Sequence, residues 1–202
     1  SQDEPIELYL NDFDGNKSLD HIYTYYNKGE NYPFASKNEL IKQMAGIKNQ
    51  FVKNKDFVEK KVEDIFKAKD LNTAVRQKVY QLESVYIENL GNGQFKTHSL
   101  PIETQFSPVY SVLIQDFNQD GAVDVLLGGN LYGAIPKIGR YDAAYGTYLE
   151  GDGKGNFKAI PATQSGFAVK GQIRAIKKVK TKNGNLILVA RNNDDLAAFK
   201  QN

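Results

Sequence analysis

Over most of the chain, apolar and polar residues alternate or fall in short apolar blocks bounded by Gly, Asn and Asp, a period that predicts strands. Ile6-Glu-Leu-Tyr-Leu, Ser111-Val-Leu-Ile, Val123 to Leu127, Ile173 to Lys180, Leu186 to Ala190 and Leu196 to Lys200 all read this way. The texture changes once, between Ser36 and Ser84. Ser36-Lys-Asn-Glu39 is a capping-box pattern, and Leu40, Ile41, Met44, Ile47 and Phe51 follow at helical spacing. Asp56-Phe-Val-Glu59 predicts a second helix with Val58, Val62, Ile65 and Phe66 on its apolar side, and Leu71 to Leu82 a third. The expectation is a mainly β chain interrupted by a helical insertion at 36–84.

Two patterns recur. Ile6 to Tyr23 resembles Ser111 to Leu126: each has an apolar strand, an Asp-Phe pair, an oxygen-rich loop closed by Asp, and a second strand. Glu88-Asn-Leu-Gly-Asn-Gly-Gln-Phe95-Lys resembles Glu150-Gly-Asp-Gly-Lys-Gly-Asn-Phe157-Lys, each a glycine-rich hairpin with an aromatic just after the turn. Phe95 and Phe157, and likewise Gly121 and Gly184 (in the turn Lys182-Asn-Gly184), are separated by a little over sixty residues. Once 36–84 is set aside, Asp12 and Asp116 fall at a similar spacing. A single repeat domain over 1–202 is expected, with units at about 6–102, 109–161 and 171–202.

The loop from Asp116 to Asp124 carries the most specific chemistry. Asp116, Asn118, Asp120 and Asp124 place oxygens at positions one, three, five and nine, the Ala122 carbonyl falls at seven, and Gly121 stands at six. Calcium is a hard cation that takes six to eight oxygens, and a loop wrapping it must turn sharply where glycine is comfortable. Position twelve is Leu127 within an apolar run, so the loop joins two strands and is not an EF-hand. The earlier loop offers Asp12, Asp14, Asn16, the Ser18 carbonyl and Asp20 in the same register, but with Lys17 where glycine is expected. Sliding the register to align Asp14-Gly15 with Asp120-Gly121 would put Leu10 at the first ligand position. In the last unit lysines stand where the acids stood, so no metal is expected there. In both acidic loops calcium would act structurally, turning repulsion among carboxylates into a clamp between strands.

Composition narrows the classes without adding a site. The chain has 202 residues, 12 Tyr, 11 Phe, no Trp and no Cys, and 26 basic against 24 acidic residues give a net charge of +2. Disulfides and thiolate chemistry are excluded, and nothing general points to nucleic acid. No run of eighteen apolar residues predicts a membrane-spanning helix. His21 and His98 have no triad or metal spacing, and Glu59, Glu63 and Asp64 alternate with Lys60 and Lys61 as a solvated helix face would. No catalytic residues are assigned, and the chain is not expected to be an enzyme.

With these motifs together the chain resembles FG-GAP or VCBS-type repeat proteins. The likeness rests on the acidic loop, the apolar strand ending in Gly128-Gly-Asn130, and the Gly-x-Gly-x-Phe hairpin. Tyr32 to Leu40, Gln105 to Tyr110 and Asn130 to Gly146 carry a closer similarity to the C-terminal region of large bacterial VCBS repeat proteins. The resemblance implies β-propeller blades, calcium as the bound ion, and an exported, cell-surface, periplasmic or extracellular setting. Without the insertion the chain suits two to three blades, too few to close a ring of four or more alone. Other blades of the same chain or a homo-oligomer are therefore implied.

The long loop Leu131 to Tyr145 is the candidate recognition surface, with Tyr132, Arg140, Tyr141, Asp142 and Tyr145 suited to a protein or glycan ligand. A competing expectation is that an Arg140–Asp142 pair merely ties the loop down. The functional expectation is a calcium-stabilised interaction module that binds protein or glycan. The alternatives are a contribution to a carbohydrate-active or other hydrolytic site, and a purely structural end segment of a larger propeller.

Overall fold

The computed structural model describes residues 2–182 and 184–200. These form four antiparallel sheets of four, two, four and three strands with a few short helices, and no closed propeller is found among the described residues. The chain divides into two compact units, 1–82 and 83–202, so the expected repeat unit 6–102 spans both.

In the first unit, β1 (Ile6–Asn11), β2 (Asp20–Asn27) and β3 (Glu30–Pro33) form a meander, and β4 (Val75–Val79) adds to the free side of β1, giving the order β3-β2-β1-β4. One face of this sheet carries Tyr9 and Ile22, against which the helical segment packs. Helix α1 (Lys37–Gln43) starts where the capping box predicts: the Ser36 and Glu39 side chains each bond the other's backbone N–H. After α1 come α2 (Ile47–Gln50), a 3₁₀ turn at Asn54–Asp56, α3 (Val62–Ile65) and α4 (Ala68–Thr73). Leu40, Met44, Ile47, Phe51, Val62, Ile65 and Phe66 join Tyr9 and Ile22 in one buried cluster.

Two helix expectations are corrected. The second helix is broken into the 3₁₀ turn and α3, because Glu59 takes a left-handed φ of 61° between them. The expected third helix, Leu71–Leu82, ends at Thr73 and gives way to β4. Val75-Arg-Gln-Lys-Val79 has no apolar inward face: Arg76 and Lys78 lie on the side of the sheet that carries Glu7, and Val75 and Val79 are exposed.

The second unit opens with a hairpin of β5 (Val85–Gly91) and β6 (Gln94–Ser99). Next is a four-stranded meander of β7 (Val109–Gln115), β8 (Asp124–Gly129), β9 (Thr147–Gly151) and β10 (Phe157–Ile160), in spatial order β10-β9-β8-β7. After the short α5 (Ala162–Ser165), β11 (Ile173–Thr181), β12 (Gly184–Arg191) and β13 (Ala197–Lys200) form a three-stranded meander. Asn183, in the expected Lys182–Gly184 turn, lies outside the described residues. All six residues of β8 are buried because both faces of this inner strand are covered, which is why it reads as a continuous apolar run, whereas Val112 and Ile114 on the neighbouring edge strand β7 stay exposed. On one face Leu126 meets Ile173, Ile176, Ile187 and Val189 of the three-stranded sheet; on the other, Val125 and Leu127 pack with Leu149. The Gly128-Gly129 pair lets backbones approach closely. A Cβ at Gly128 would collide with the Ile173 side chain, and one at Gly129 with the Pro108 carbonyl.

Candidate metal centre

The two acidic loops occupy the same place in two meanders. One links β1 to β2 and the other β7 to β8, and each closes on an equivalent antiparallel pair, Asn11↔Asp20 and Gln115↔Asp124. Five hydrogen bonds correspond one to one. The first-position carboxylate accepts from the N–H groups at positions five and six: Asp12 from Asn16 (3.0 Å) and Lys17 (2.8 Å), Asp116 from Asp120 (3.2 Å) and Gly121 (3.0 Å). The third-position oxygen, Asp14 or Asn118, accepts from the fifth N–H. The fifth, Asn16 or Asp120, accepts from the N–H of Ser18 or Ala122. The ninth, Asp20 or Asp124, accepts from the Phe13 or Phe117 N–H at 3.0 and 2.9 Å. This fixes the register as Asp12 on Asp116, the alignment that kept Leu10 out of a ligand position.

Lys17 is accommodated by a displaced glycine. Positions four and six are left-handed in both loops: Gly15 (77°) and Lys17 (69°) in the first, Gln119 (62°) and Gly121 (90°) in the second. Each loop thus has one glycine and one strained residue, in opposite order.

The acids differ as well. Asp12, Asp14 and Asp20 each bring a carboxylate oxygen within 4.8 Å of the other two, a cluster able to hold a metal ion, and no ion is identified. No second acidic group among the described residues is as tight. In the second loop the third position is an amide and its charge has moved to Asp120, where Asn118 Nδ2 donates to Asp120 Oδ2 at 2.9 Å. Burial, opposed by the Phe13 N–H and reinforced by Asp14 and Asp12, raises the Asp20 carboxyl above its ordinary value. An all-oxygen donor set around a mutually repelling trio fits a hard divalent cation.

Asp124 is fully buried and heavily engaged. Its Oδ2 accepts from Phe117 N–H and from the Tyr148 hydroxyl at 2.9 Å, and its Oδ1 from Gly151 N–H at 3.0 Å. Burial, with the bond to Asp124, pushes the Tyr148 hydroxyl well above the ordinary tyrosine range, so it stays a donor. The ninth residue therefore ties the loop to β9, a link that nothing in the loop motif announces.

The Leu131–Tyr145 loop is organised by its ends. Asn130 is buried at a φ of 81°; its Nδ2 donates to the Ala144 and Gly171 carbonyls and its Oδ1 accepts from Ala144 N–H. Leu131 and Tyr141 form an isolated antiparallel bridge. Arg140 lies over the Tyr132 ring, 5.1 Å from its centroid, and among the described residues it makes no ion pair with Asp142. Tyr141, Asp142 and Tyr145 are exposed. Tyr145 lines a cleft with Phe106, Glu103 and Ile160, while Tyr132 is half-buried beside Gln172, whose Oε1 accepts its N–H.

A further charged cluster has no sequence signature. The Glu7 side chain is wholly buried in the first sheet, where it accepts from Tyr9 Oη (2.8 Å) and Asn31 Nδ2 (3.1 Å) and pairs with Arg76 (2.6 Å) and Lys78 (3.3 Å). Burial would raise its carboxyl, but the Arg76 and Tyr9 bonds outweigh that and hold it below the ordinary glutamate value. Of the histidines, His98 stacks on Tyr86 and bonds Glu88 at 2.8 Å, and His21 packs edge-on to Tyr23.

The chain matches no family model, and neither a curated protein nor a solved structure is significantly similar to it.

Proposed function

We propose that the chain is a calcium-stabilised interaction module of the FG-GAP/VCBS repeat type, belonging to an exported or cell-surface bacterial protein. Its meanders serve as propeller blades, and its ligand, a protein or a glycan, docks on the Tyr141–Tyr145 side of the long loop. What carries the reading is the bond-for-bond match of two loops that present oxygens at positions one, three, five and nine. Two different sequences held to one backbone geometry point to a shared ligand more than to two self-satisfied turns. Asp12, Asp14, Asn16, Ser18 and Asp20 would hold one ion, and Asp116, Asn118, Asp120, Ala122 and Asp124 another. Calcium supplies charge neutralisation at each strand junction. The chain's own contribution is the pre-ordered loop, whose backbone N–H groups already orient the carboxylates.

A calorimetric calcium titration paired with thermal melts tests this. At calcium a hundredfold above its dissociation constant the stabilisation is about 2.7 kcal/mol, which raises the melting temperature by roughly 5–10 °C for a chain of this size. A melt indifferent to excess chelator, with no bound calcium by elemental analysis, sinks the proposal. For the ligand surface, Tyr141→Ala is expected to abolish hits in a glycan and protein binding screen while leaving the melt unchanged. Undiminished binding removes the loop as the docking site.

A further inference from the structure

One face of the first sheet is apolar and open. On β2 the buried Asp20, Ile22 and Thr24 alternate with the exposed His21, Tyr23 and Tyr25. The register sets Leu8 between Tyr23 and Gln77, Leu10 between His21 and Val75, and Val79 opposite Ile6. Ring contacts show the shared side: Tyr25 meets Tyr32 at 6.2 Å and Phe34 at 5.9 Å, and His21 meets Tyr23 at 6.1 Å. The charged residues of these strands lie elsewhere. Glu7, Asp20, Arg76 and Lys78 belong to the opposite face. Glu30, the one acid in register with the open face, stands at the hairpin end of β3 and is paired with Lys61 at 2.7 Å. An antiparallel sheet face left to water is ordinarily polar. Apart from Glu30, the strand positions of this one carry no charge, in a chain of which 25% is charged.

We propose that a second copy of the chain docks on this face, the two sheets packing face to face across a two-fold axis. Tyr23, Tyr25 and Phe34 are 51%, 39% and 48% exposed, and Val75 and Val79 58% and 47%. With roughly 200 Å² to an aromatic side chain, these five residues and their partly exposed neighbours leave about 700 Å² open, more than the largest apolar patch usual on a monomer. Two such faces bury about 1,400 Å² in total, within the range of a stable interface. The lack of charge favours a copy over an unlike partner. A two-fold sets the face against itself, where any charge would meet its like, and interfaces between identical chains are the more apolar ones. The rings stand at 37°, 74° and 81° to their neighbours. They form knobs that interleave with a facing sheet, not a flat platform for a sugar ring. With no lysine or arginine on the face, a phosphate backbone finds no partner there. The inference uses neither calcium nor the Tyr141–Tyr145 surface.

The test is sedimentation velocity of the full chain, from micromolar to submillimolar concentration, with every variant first checked by its melt. Chelator in the buffer keeps the result independent of the metal reading. A reversible monomer–dimer equilibrium is expected. Tyr23→Lys sets like charges against each other between the facing sheets and weakens the dimer about a hundredfold or more. Tyr23→Glu does the same, and mixing the two variants restores a dimer, which lost packing alone does not. Gln77→Glu, a polar exchange at an exposed position of the same face, weakens the dimer about tenfold and serves if the Tyr23 variants do not fold. Ile87→Lys, at an exposed position of β5 outside this face, leaves the dimer unchanged. A chain that stays monomeric throughout overturns the proposal, whatever glycan or other protein the face then binds. A dimer indifferent to both Tyr23→Lys and Gln77→Glu, or weakened equally by Ile87→Lys, puts the contact elsewhere and overturns it too. Association that runs on past the dimer overturns the two-fold packing.

Discussion

The loops Asp12–Asp20 and Asp116–Asp124 share five hydrogen bonds and two left-handed positions but divide their residues differently. In the first, the glycine stands at position four and the variable acid at position three; in the second they stand at six and five. The backbone geometry requires two left-handed residues and four oxygen-bearing side chains, and it does not dictate which residue types fill which slots. The loops also differ in what the ninth residue anchors. Asp124 accepts three donors, two of them from β9, whereas Asp20 holds the Phe13 N–H next to two other carboxylates. The first loop concentrates charge; the second distributes hydrogen bonds.

Removing the ninth residue separates these roles most sharply. Asp124→Ala leaves three donors unpaired and is expected to cost about 3–5 kcal/mol in urea denaturation without calcium. Asp20→Ala gives up one backbone bond but relieves repulsion, so its cost in calcium-free buffer should stay within roughly 1 kcal/mol and grow when calcium is added. Equal costs in chelator erase the contrast.

The next largest effect is the setting of the first loop's sheet. Removing a partner from a buried ion pair costs about 3–5 kcal/mol; because Lys78 remains 3.3 Å from Glu7, Arg76→Met should cost less, roughly 2–3 kcal/mol. Glu7 also sets a pH dependence. Its carboxyl is held low in the folded state, so its stabilisation is present above the ordinary value of 4.5 and is lost as pH falls through the lower folded value. Asp20 acts with opposite sign: its raised carboxyl destabilises the ion-free fold once ionised, so acid relieves it. In calcium-free melts Glu7→Gln should therefore flatten the loss of stability on acidification below about pH 4.5, and Asp20→Asn should steepen it.

Glycine exchange gives the smallest and most symmetric effects. Lys17→Gly and Gln119→Gly each relieve a left-handed side chain and should stabilise by about 0.5–1 kcal/mol, while Gly15→Ala and Gly121→Ala destabilise by about 1–2 kcal/mol. A loop in which position four tolerates alanine and position six does not would mean that the two slots are not equivalent.

Much of this was legible in the residues, and the failures have physical reasons. Oxygen spacing located both loops, and the Leu10 argument chose their register, because ligand positions repeat. The single-glycine template marked Lys17 as a departure, since spacing does not reveal that position four is left-handed too. The capping box at Ser36–Glu39 set the start of α1. Strand β4 was hidden because its inward residues are Arg76 and Lys78, matched to Glu7 rather than to an apolar core, and hydrophobic periodicity is blind to a basic face. The Tyr148–Asp124 bond joins residues 24 apart and leaves no local trace. The Arg140–Asp142 pair suggested by proximity gives way to Arg140 over Tyr132, because the bridge at Tyr141 turns the loop back on itself.

The buried Glu7 also orders events in time. Its partners on β4 are 69 and more residues away along the chain, so while the first three strands can pair as soon as they are made, their central carboxylate has no arginine or lysine beside it until β4 arrives. A nascent or truncated chain ending before Val75 would have to bury an uncompensated acid or leave the sheet open. The apolar cluster of the first unit is complete in the chain by Phe66, so its core and its buried charge are finished by different segments. The last strand adds no apolar residue to that cluster; what it brings is the countercharge for position seven.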